Sequence, residues 1–151
     1  MILIKFVYFD YGGSHSSVLA ANIHLGNLNS AKTPSDAELI NLPLFDKTVP
    51  EDFGTMQYVG QDENNHEVYV FGTRHSDFTA TINGLAALLG VSTEYTFVGT
   101  MPYVNYLLRL GGFLSRGLSA PSLGRPFVFR GAKMAYPALA NLVDRVKVET
   151  I

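Results

Sequence analysis

The sequence contains no cysteine and no tryptophan among its 151 residues. The missing cysteine excludes disulfide bonds, thiolate catalysis and cysteine-bound zinc or iron–sulfur clusters. Charged residues make up only 16% of the chain and the net charge is −2, so the basic excess of a general nucleic-acid-binding protein is also missing. No apolar run approaches the roughly eighteen residues that a membrane-spanning helix needs.

The N-terminus has neither a basic leader nor a small-residue cleavage site, which disfavours a signal peptide. We therefore expect a cytoplasmic protein without nucleic-acid or membrane partners.

Hydrophobic residues are abundant, at 47% of the chain. A chain of this length can bury roughly two-thirds of its unfolded surface, and its composition excludes extensive disorder. No internal repeat, low-complexity tract or linker interrupts the sequence. We predict one domain over residues 1–151.

Alternating strand and helix patterns predict a three-layer α/β sandwich with a mixed, mostly parallel sheet and a β-hairpin at one edge. Ser35 and Glu38 have the spacing of a capping box, which predicts a short helix after Ser35. The predicted strands are 2–9, a hairpin within 53–73, a central strand 94–98 and a last strand 126–130; the longer predicted helices are 18–26, 77–89, 102–116 and 137–146.

The most informative segment is Asp-Tyr-Gly-Gly-Ser-His-Ser-Ser at positions 10–17, between the first predicted strand and helix. A strand, a two-glycine turn and a helix that opens with serines leave several backbone N–H groups free at the positive end of the helix dipole. The segment therefore predicts a phosphate or carboxylate site. The P-loop spacing G-x-x-x-x-G-K-[ST] is not met, which disfavours a conventional NTPase. We assign ligand binding in this loop to Gly12, Gly13, Ser14, Ser16 and Ser17.

Two side chains of this loop are candidates for chemistry. His15, at the start of the helix, can transfer a proton or accept a phosphoryl group, or it can hold the turn through a bond to a backbone carbonyl. Asp10, at the end of the strand, can be a general base, a magnesium ligand or a capping partner. The sequence leaves these alternatives open.

Ligands of parallel α/β sheets bind beyond the carboxyl ends of the strands, where other loops meet the first. Arg74 and His75 follow the hairpin and are candidates for the second half of an anion site, His75 also for catalysis; the alternative is a solvated loop. The loops at 99–102 and 131–133 end at the same edge. Asp10, His15 and His75 can bind a metal only if their loops meet, so the metal requirement stays undecided and no cofactor is indicated. We interpret His24 as structural and His66 as solvated.

The predicted helix 102–116 carries Asn105, Arg109 and Arg116 close to one face, and Asn105 and Arg116 are candidate ligand-binding residues. It also contains the adjacent glycines Gly111 and Gly112, which cost about 1 kcal/mol each relative to alanine. This cost indicates close approach of another helix, a second subunit or a ligand, or else a break in the helix.

Taken together, these residues resemble a bacterial family classed as domain of unknown function 3189. Its members carry a Cys-Tyr-Gly-Gly-Thr/Ala-His-Ser-Ser motif after the first strand, to which residues 11–17 are similar. The resemblance continues through 21–26, 44–47, 104–105, 111–116, 124–126 and 135–137. Asp10 stands where the family has cysteine. If that cysteine were an essential nucleophile, this chain would be inactive or would work differently; if the position orders the loop or binds a metal, aspartate can replace it. The resemblance implies one domain and no known activity.

Two functions remain. In the first, the protein binds a small phosphorylated or nucleotide ligand at the loop and performs phosphoryl transfer or hydrolysis, with His15 moving a proton or phosphoryl group and Arg74 and His75 neutralising charge. In the second, it is a non-enzymatic regulatory or assembly module whose glycine-containing helix forms a homo- or hetero-oligomer.

Overall fold

The computed structural model describes residues 2–150, and its centre is an open four-stranded sheet. The strands are β1 (Lys5–Asp10), β2 (Gln57–Gln61), β3 (Glu67–Gly72) and β4 (Tyr95–Gly99), and their order in the sheet is β2-β3-β1-β4. β1 runs parallel to both β3 and β4, and β2 pairs with β3 in the antiparallel direction. The mixed, mostly parallel sheet with a hairpin at one edge is as predicted.

Five α-helices connect and cover these strands: α1 (Ser16–His24), α2 (Asp36–Ile40), α3 (Thr79–Leu88), α4 (Tyr106–Gly112) and α5 (Pro121–Glu149). Short 3₁₀ turns lie at Pro50–Asp52 and Met101–Tyr103, and a π-helical turn at Phe113–Gly117 follows α4 directly. The predicted capping box is present at α2, where Ser35 and Glu38 bond each other's backbone N–H groups. Within residues 2–150, none of these helices is long and apolar enough to cross a membrane.

One face of the sheet forms the main hydrophobic core with α1 and α5. Side chains alternate along a strand, and parallel neighbours in register share a face. The sheet residues of this core are Phe6, Tyr8, Val68, Val70 and Val98, and the helices add Val18, Leu19, Leu139 and Val143.

The opposite face carries Val7 and Phe9 and is covered by α3. A Cβ at Gly99 would lie 3.1 Å from Thr79 Oγ1 of α3 and 3.2 Å from the Phe9 ring, so α3, β1 and β4 meet there. Helices therefore lie on both faces, which is the predicted three-layer arrangement.

The strand predicted as central, 94–98, is instead the edge strand β4. The two inner strands are β1 and β3. The last five residues of β1 are all buried, whereas β4 is mostly half-buried. A strand that is covered on both faces and both edges needs apolar side chains on both faces, and β1 has the longest fully buried run of the four strands.

The C-terminal third differs most from the prediction. The predicted strand 126–130, the loop 131–133 and the helix beginning at 137 are wrong, because α5 runs without interruption through Pro126 and Pro137. The aromatic and β-branched residues at 127–129 favour a strand, and proline disfavours a helix interior. Tertiary packing overrides both: Val128 is fully buried against α4, and both prolines lie on the exposed side, where water can bond the carbonyls that they leave unpaired.

Candidate functional site

A cleft of about 730 Å³ opens beyond the carboxyl end of β1. Its walls come from the loop between β1 and α1, residues 48–50, the loop after β3, and the segment from α4 to the π-helical turn. The loops that were predicted to meet at this edge of the sheet do so, apart from residues 131–133, which belong to α5.

Asp10 orders the loop that follows β1. Its Oδ1 accepts the N–H of Gly13 at 2.5 Å, and its Oδ2 accepts the Ser16 hydroxyl at 2.6 Å and the N–H of Ser17 at 3.0 Å. Asp10 is only 5% exposed, so its oxygens are committed to these contacts. Of the roles left open by the sequence, the geometry is that of a capping partner for α1.

Gly13 fits this loop for two reasons. Its φ is +65°, a region that other residues rarely adopt, and a Cβ here would lie 2.8 Å from the backbone nitrogen of Gly72 at the end of β3. Gly12 has open space around it and lines the cleft. The close approach of the loop to β3 explains why the turn contains glycine.

The serines of the loop were predicted as caps and ligand donors. The Ser14 hydroxyl donates to Thr48, Ser16 bonds Asp10 and lies 2.8 Å from the Thr100 hydroxyl, and the buried Ser17 hydroxyl has no partner within residues 2–150. Only Ser14 and Ser16 line the cleft. The backbone N–H groups of Ser14, His15 and Ser16 donate to no acceptor in the described part of the chain, so donors remain at the start of α1.

His15 pairs with an aspartate that the sequence did not bring to attention. Its Nε2 lies 2.8 Å from Oδ1 of Asp46, and its ring packs edge-on against Phe45. Because the carboxylate accepts a hydrogen bond, Nε2 carries the proton and Nδ1 is the basic atom of the ring. His15 lines the cleft with 13% of its side chain exposed.

Asp46 holds several elements together at the back of the cleft. Its side chain is fully buried; Ser115 donates to Oδ2 at 2.6 Å and Arg125 at 3.0 Å, and its own N–H donates to the carbonyl of Ser14. Burial raises the pKa of this carboxyl, but the hydrogen bonds from His15, Ser115 and Arg125 outweigh it and lower the pKa to about 2. Asp46 therefore stays ionised. The sequence signalled it only as one of the family-like residues 44–47.

Three arginines line the cleft. Arg74 has its guanidinium 4.2 Å above the Phe53 ring, and Arg116 has its Nε 3.3 Å from Oδ1 of Asp46 without hydrogen-bond geometry. Arg109 is exposed at the rim. The structure thus brings the predicted Arg74 and Arg116 to the same cleft as His15, and it adds Arg109.

Two candidate residues lie elsewhere. His75 is exposed, stacks on Phe78 with ring centroids 5.3 Å apart, and does not line the cleft. Asn105 caps α4 by accepting the N–H of Leu108 at 3.0 Å and donates to the carbonyl of Gly131 at 2.9 Å. Both polar ends of the Asn105 amide are therefore used between α4 and α5. Within residues 2–150, no group of three or more histidine, aspartate or glutamate side chains is placed to hold a metal ion.

The adjacent glycines of α4 have different neighbours. A Cβ at Gly111 would lie 2.6 Å from the backbone nitrogen of Val128, so Gly111 permits the close packing of α4 on α5. A Cβ at Gly112 would meet only the ring of His15, at 3.2 Å from Cε1 and 3.4 Å from Nδ1. Of the alternatives from the sequence, close approach of another helix explains Gly111, whereas Gly112 lies against the ring of His15 in the wall of the cleft.

A second histidine–aspartate pair lies at the other end of α1. Both ring nitrogens of His24 are hydrogen-bonded, Nδ1 to the Tyr8 hydroxyl at 2.7 Å and Nε2 to Asp62 at 3.0 Å. The residue is 1% exposed. The structural interpretation of His24 agrees with this burial. His66 is not simply solvated, because its Nδ1 accepts the N–H of Ile4 at 3.0 Å and its ring packs on Phe6.

Comparison with known proteins gives one match. A model of the family described as "Protein of unknown function (DUF3189)" covers residues 5–148. No curated protein and no solved structure matches the chain. The match spans all four strands and nearly all of α5, so the chain belongs to the family of proteins of unknown function DUF3189.

Proposed function

We propose that the cleft binds a small phosphorylated or nucleotide ligand and that the protein catalyses phosphoryl transfer or hydrolysis on it. The observation that carries this proposal is the position of His15. Its Nε2 is held by a buried, ionised aspartate, and the ring lines a cleft shared with three arginines. A fixed imidazole beside several guanidinium groups combines a proton-transfer group with the means to bind an anion.

The charges around the cleft favour an anionic ligand. Arg74, Arg109 and Arg116 line it, against one carboxylate, Asp10, whose oxygens already accept three hydrogen bonds. Guanidinium groups match the geometry of phosphate oxygens and are always charged. The unpaired N–H groups at the start of α1 add donors at the positive end of the helix dipole.

The other walls of the cleft suit an apolar or aromatic part of the ligand. Tyr11, Phe53, Val104 and Phe113 line the same cleft as the arginines. Its volume of about 730 Å³ lies within the usual range for small-molecule sites, roughly 300–1,000 Å³. A phosphorylated molecule with a ring, such as a nucleotide, has both the charge and the apolar surface for this cleft.

The ring of His15 can serve the reaction through Nδ1. With Nε2–H donated to Asp46, Nδ1 can take a proton from an attacking water or hydroxyl group, and the carboxylate stabilises the imidazolium that results. The arginines would then stabilise negative charge that develops on the phosphoryl oxygens. Asp10 positions the loop and takes no part in this step.

A thermal-shift screen tests the binding. Purified protein is screened against inorganic phosphate, sugar phosphates, nucleotides and divalent metals. A ligand at a hundred times its dissociation constant should add about 2.7 kcal/mol to the free energy of unfolding. We expect a phosphorylated ligand to raise the unfolding midpoint of the wild type, and His15→Ala or Arg109→Ala to lower that gain.

Two variants serve as matched controls. His75→Ala removes a histidine from a neighbouring loop, and Arg130→Ala removes an exposed arginine from α5; neither side chain lines the cleft. Both should respond to the ligand as the wild type does. The proposal is wrong if no phosphorylated compound shifts the wild type, or if the control variants lose as much of the response as the cleft variants.

An assembly module is the second candidate, and a separate surface supports it. Large apolar side chains that do not line the cleft are exposed on α4 and α5: Tyr106 and Leu110, and Leu123, Phe127 and Met134. Exposed apolar side chains on two packed helices suit a protein partner. Sedimentation velocity should then show an oligomer that Leu123→Glu dissociates; a monomeric wild type at high concentration contradicts this function.

A further inference from the structure

We propose that His15 is a covalent phosphoryl acceptor, that the bond forms at Nδ1, and that Gly112 keeps this atom open to the cleft. The inference rests on the proposed function, since it needs a phosphorylated ligand in the cleft. It goes further by naming the nucleophile, the intermediate and a residue of α4 on which the reaction depends.

The hydrogen bonds around His15 select Nδ1 over Nε2. Nε2 donates to Asp46, whose carboxylate is fully buried and held on its other oxygen by Ser115 and Arg125. Nδ1 has no hydrogen-bond partner within residues 2–150. It is also not buried, because the buried side-chain polar atoms without a partner in this part of the chain are Ser17 Oγ and Arg116 Nε. An atom of a cleft-lining ring that is neither bonded nor buried meets solvent. Nδ1 therefore presents its lone pair to the cleft.

Gly112 leaves this edge of the ring uncovered. A Cβ at position 112 would lie 3.4 Å from Nδ1 and 3.2 Å from Cε1, and beyond its own helix it would meet only the His15 ring within 4 Å. Packing of the two helices explains Gly111 but does not explain Gly112. The missing side chain at 112 leaves room beside Nδ1.

The hydroxyl groups next to His15 in the chain are already engaged. Ser14 donates its hydroxyl to Thr48, and Ser16 donates to Asp10 beside Thr100. The chain has no cysteine. Neither serine is hydrogen-bonded to His15, so the pair of a hydroxyl nucleophile and an adjacent base is not formed by these residues. The imidazole itself is the better-placed nucleophile.

The reaction proceeds in two displacements. In the first, the Nδ1 lone pair attacks phosphorus, an N–P bond forms, and the P–O bond to the leaving group breaks; the leaving oxygen keeps the electron pair and takes a proton from solvent. In the second, water or an acceptor hydroxyl attacks phosphorus and loses its proton to solvent, the N–P bond breaks, and its electron pair returns to Nδ1.

The surrounding charges fit this intermediate. After the first displacement, the ring carries phosphorus on Nδ1, a proton on Nε2 and a positive charge, which the Asp46 carboxylate offsets at 2.8 Å. Arg109 and Arg116 line the same cleft and can hold the phosphoryl oxygens. Attack at Nδ1 thus places both charges of the intermediate beside groups of opposite sign.

Phosphoramidate, a small reagent that transfers its phosphoryl group to imidazole nitrogen and releases ammonia, tests the inference without the natural ligand. His75 is exposed in the same chain and serves as an internal reference for an ordinary surface imidazole. Labelling is followed by peptide mapping at alkaline pH, where the N–P bond survives, and phosphorus NMR assigns the ring nitrogen. We expect His15 to be labelled at Nδ1 at least roughly tenfold faster than His75, because the site orients and stabilises the incoming group.

Two glycine variants isolate the role of position 112. Gly112→Ala should slow labelling of His15 to the rate of His75 or below while leaving His75 unchanged. Gly84→Ala is the matched control, since it also replaces a helical glycine, in α3, where a Cβ has open space. Gly84→Ala should be labelled like the wild type.

The outcomes separate this inference from the proposed function. Labelling of His15 no faster than His75, labelling at Nε2, or a normal rate in Gly112→Ala overturns the inference. If phosphorylated compounds still shift the unfolding midpoint through His15, the binding function stands and His15 acts as a base. If none of them binds, the proposed function itself has failed.

Discussion

The two ends of α1 each carry a histidine paired with an aspartate from a distant part of the chain, but the pairs have different surroundings. His15 bonds Asp46 through Nε2 and leaves Nδ1 without a partner in the described residues. His24 bonds Asp62 through Nε2 as well, yet its Nδ1 meets the Tyr8 hydroxyl at 2.7 Å. The first ring lines the cleft, whereas the second lies wholly in the interior.

The protonation of the second pair follows from its burial. Burial lowers the pKa of His24, and this effect outweighs the hydrogen bond that His24 donates to Asp62, which acts in the opposite direction. Burial also raises the pKa of the Tyr8 hydroxyl, so that group stays protonated and can donate to Nδ1. His24, with both nitrogens bonded, stabilises the interior. A histidine–aspartate pair is thus a candidate for chemistry only where the second ring nitrogen is free to face a cleft.

The two aspartates, Asp46 and Asp62, also differ in the elements that they connect. Asp46 is fully buried, and its carboxylate receives donors from His15, from the turn after α4 and from α5. Asp62 orders its own turn by accepting the N–H groups of Asn64 and His66. Asp46 therefore joins remote elements behind the cleft, while Asp62 mainly joins the hairpin to α1.

The largest expected effect is that of Asp46→Asn. The substitution removes the negative charge between His15, Arg116 and Arg125 and leaves these groups uncompensated in a partly buried site. We expect a loss of about 3 kcal/mol in the free energy of unfolding, measured by urea denaturation at neutral pH. Asp62→Asn should cost less, since most of its partners are neutral; an equal or larger loss would contradict the contrast between the two aspartates.

Acid should reduce the difference in unfolding free energy between the wild type and Asp46→Asn. The pKa of Asp46 is about 2 in the folded protein, against about 3.9 for an unfolded aspartate. Because the folded value is the lower one, its contribution is complete above about pH 4 and is lost as the pH falls towards 2. The gap in unfolding free energy between wild type and Asp46→Asn should therefore shrink by about 2 kcal/mol over this window. Urea titrations at several pH values measure it, and a constant gap would count against the assignment.

Substitution of the two histidines should give the smallest changes in stability and the clearest distinction between the two histidine–aspartate pairs. His24→Gln disturbs the bonds to Tyr8 and Asp62 and should cost about 1.5 kcal/mol, whereas His15→Gln should cost about 0.5 kcal/mol, because its partner Asp46 keeps other donors. Only His15→Gln should abolish the response to phosphorylated ligands.

The His24 pair should also produce a dependence on pH near neutrality. The pKa of folded His24 is lowered from the ordinary value of 6.5, so the unfolded chain binds more protons below that pH. The wild type should lose stability as the pH falls below about 6.5, and His24→Gln should lose less over the same range. Similar slopes for the two proteins would show that His24 is not held neutral.

The sequence predicted which loops meet at this edge of the sheet, but not the partners of their side chains. The strand, the two-glycine turn and the start of α1 form one wall of the cleft, and the rule for parallel sheets led to Arg74 in another. Asp46 was missed because it lies 31 positions from His15, in a loop without a motif of its own. His75 and Asn105 were chosen for their residue types and neighbours, but a stacking contact and a helix cap occupy them.

For the fold, local signals sufficed where they agreed with the packing. The capping box at Ser35 and the hairpin at one edge follow from residues a few positions apart, and both are present. In α5, local signals and packing disagreed. Residues 127–129 favour a strand by propensity, but they form part of α5, which packs so close to α4 that a Cβ at Gly111 would lie 2.6 Å from the backbone nitrogen of Val128.

The sequence by itself determined the class of fold, the position of the two-glycine loop at the end of β1 and the absence of cysteine chemistry. These depend on composition and on patterns within one or two turns of the chain. Only the tertiary structure decided the partner of His15, the open edge at Gly112 and the continuous α5. Each of these depends on contacts between residues far apart in the chain, where close packing and the burial of charge outweigh local preference.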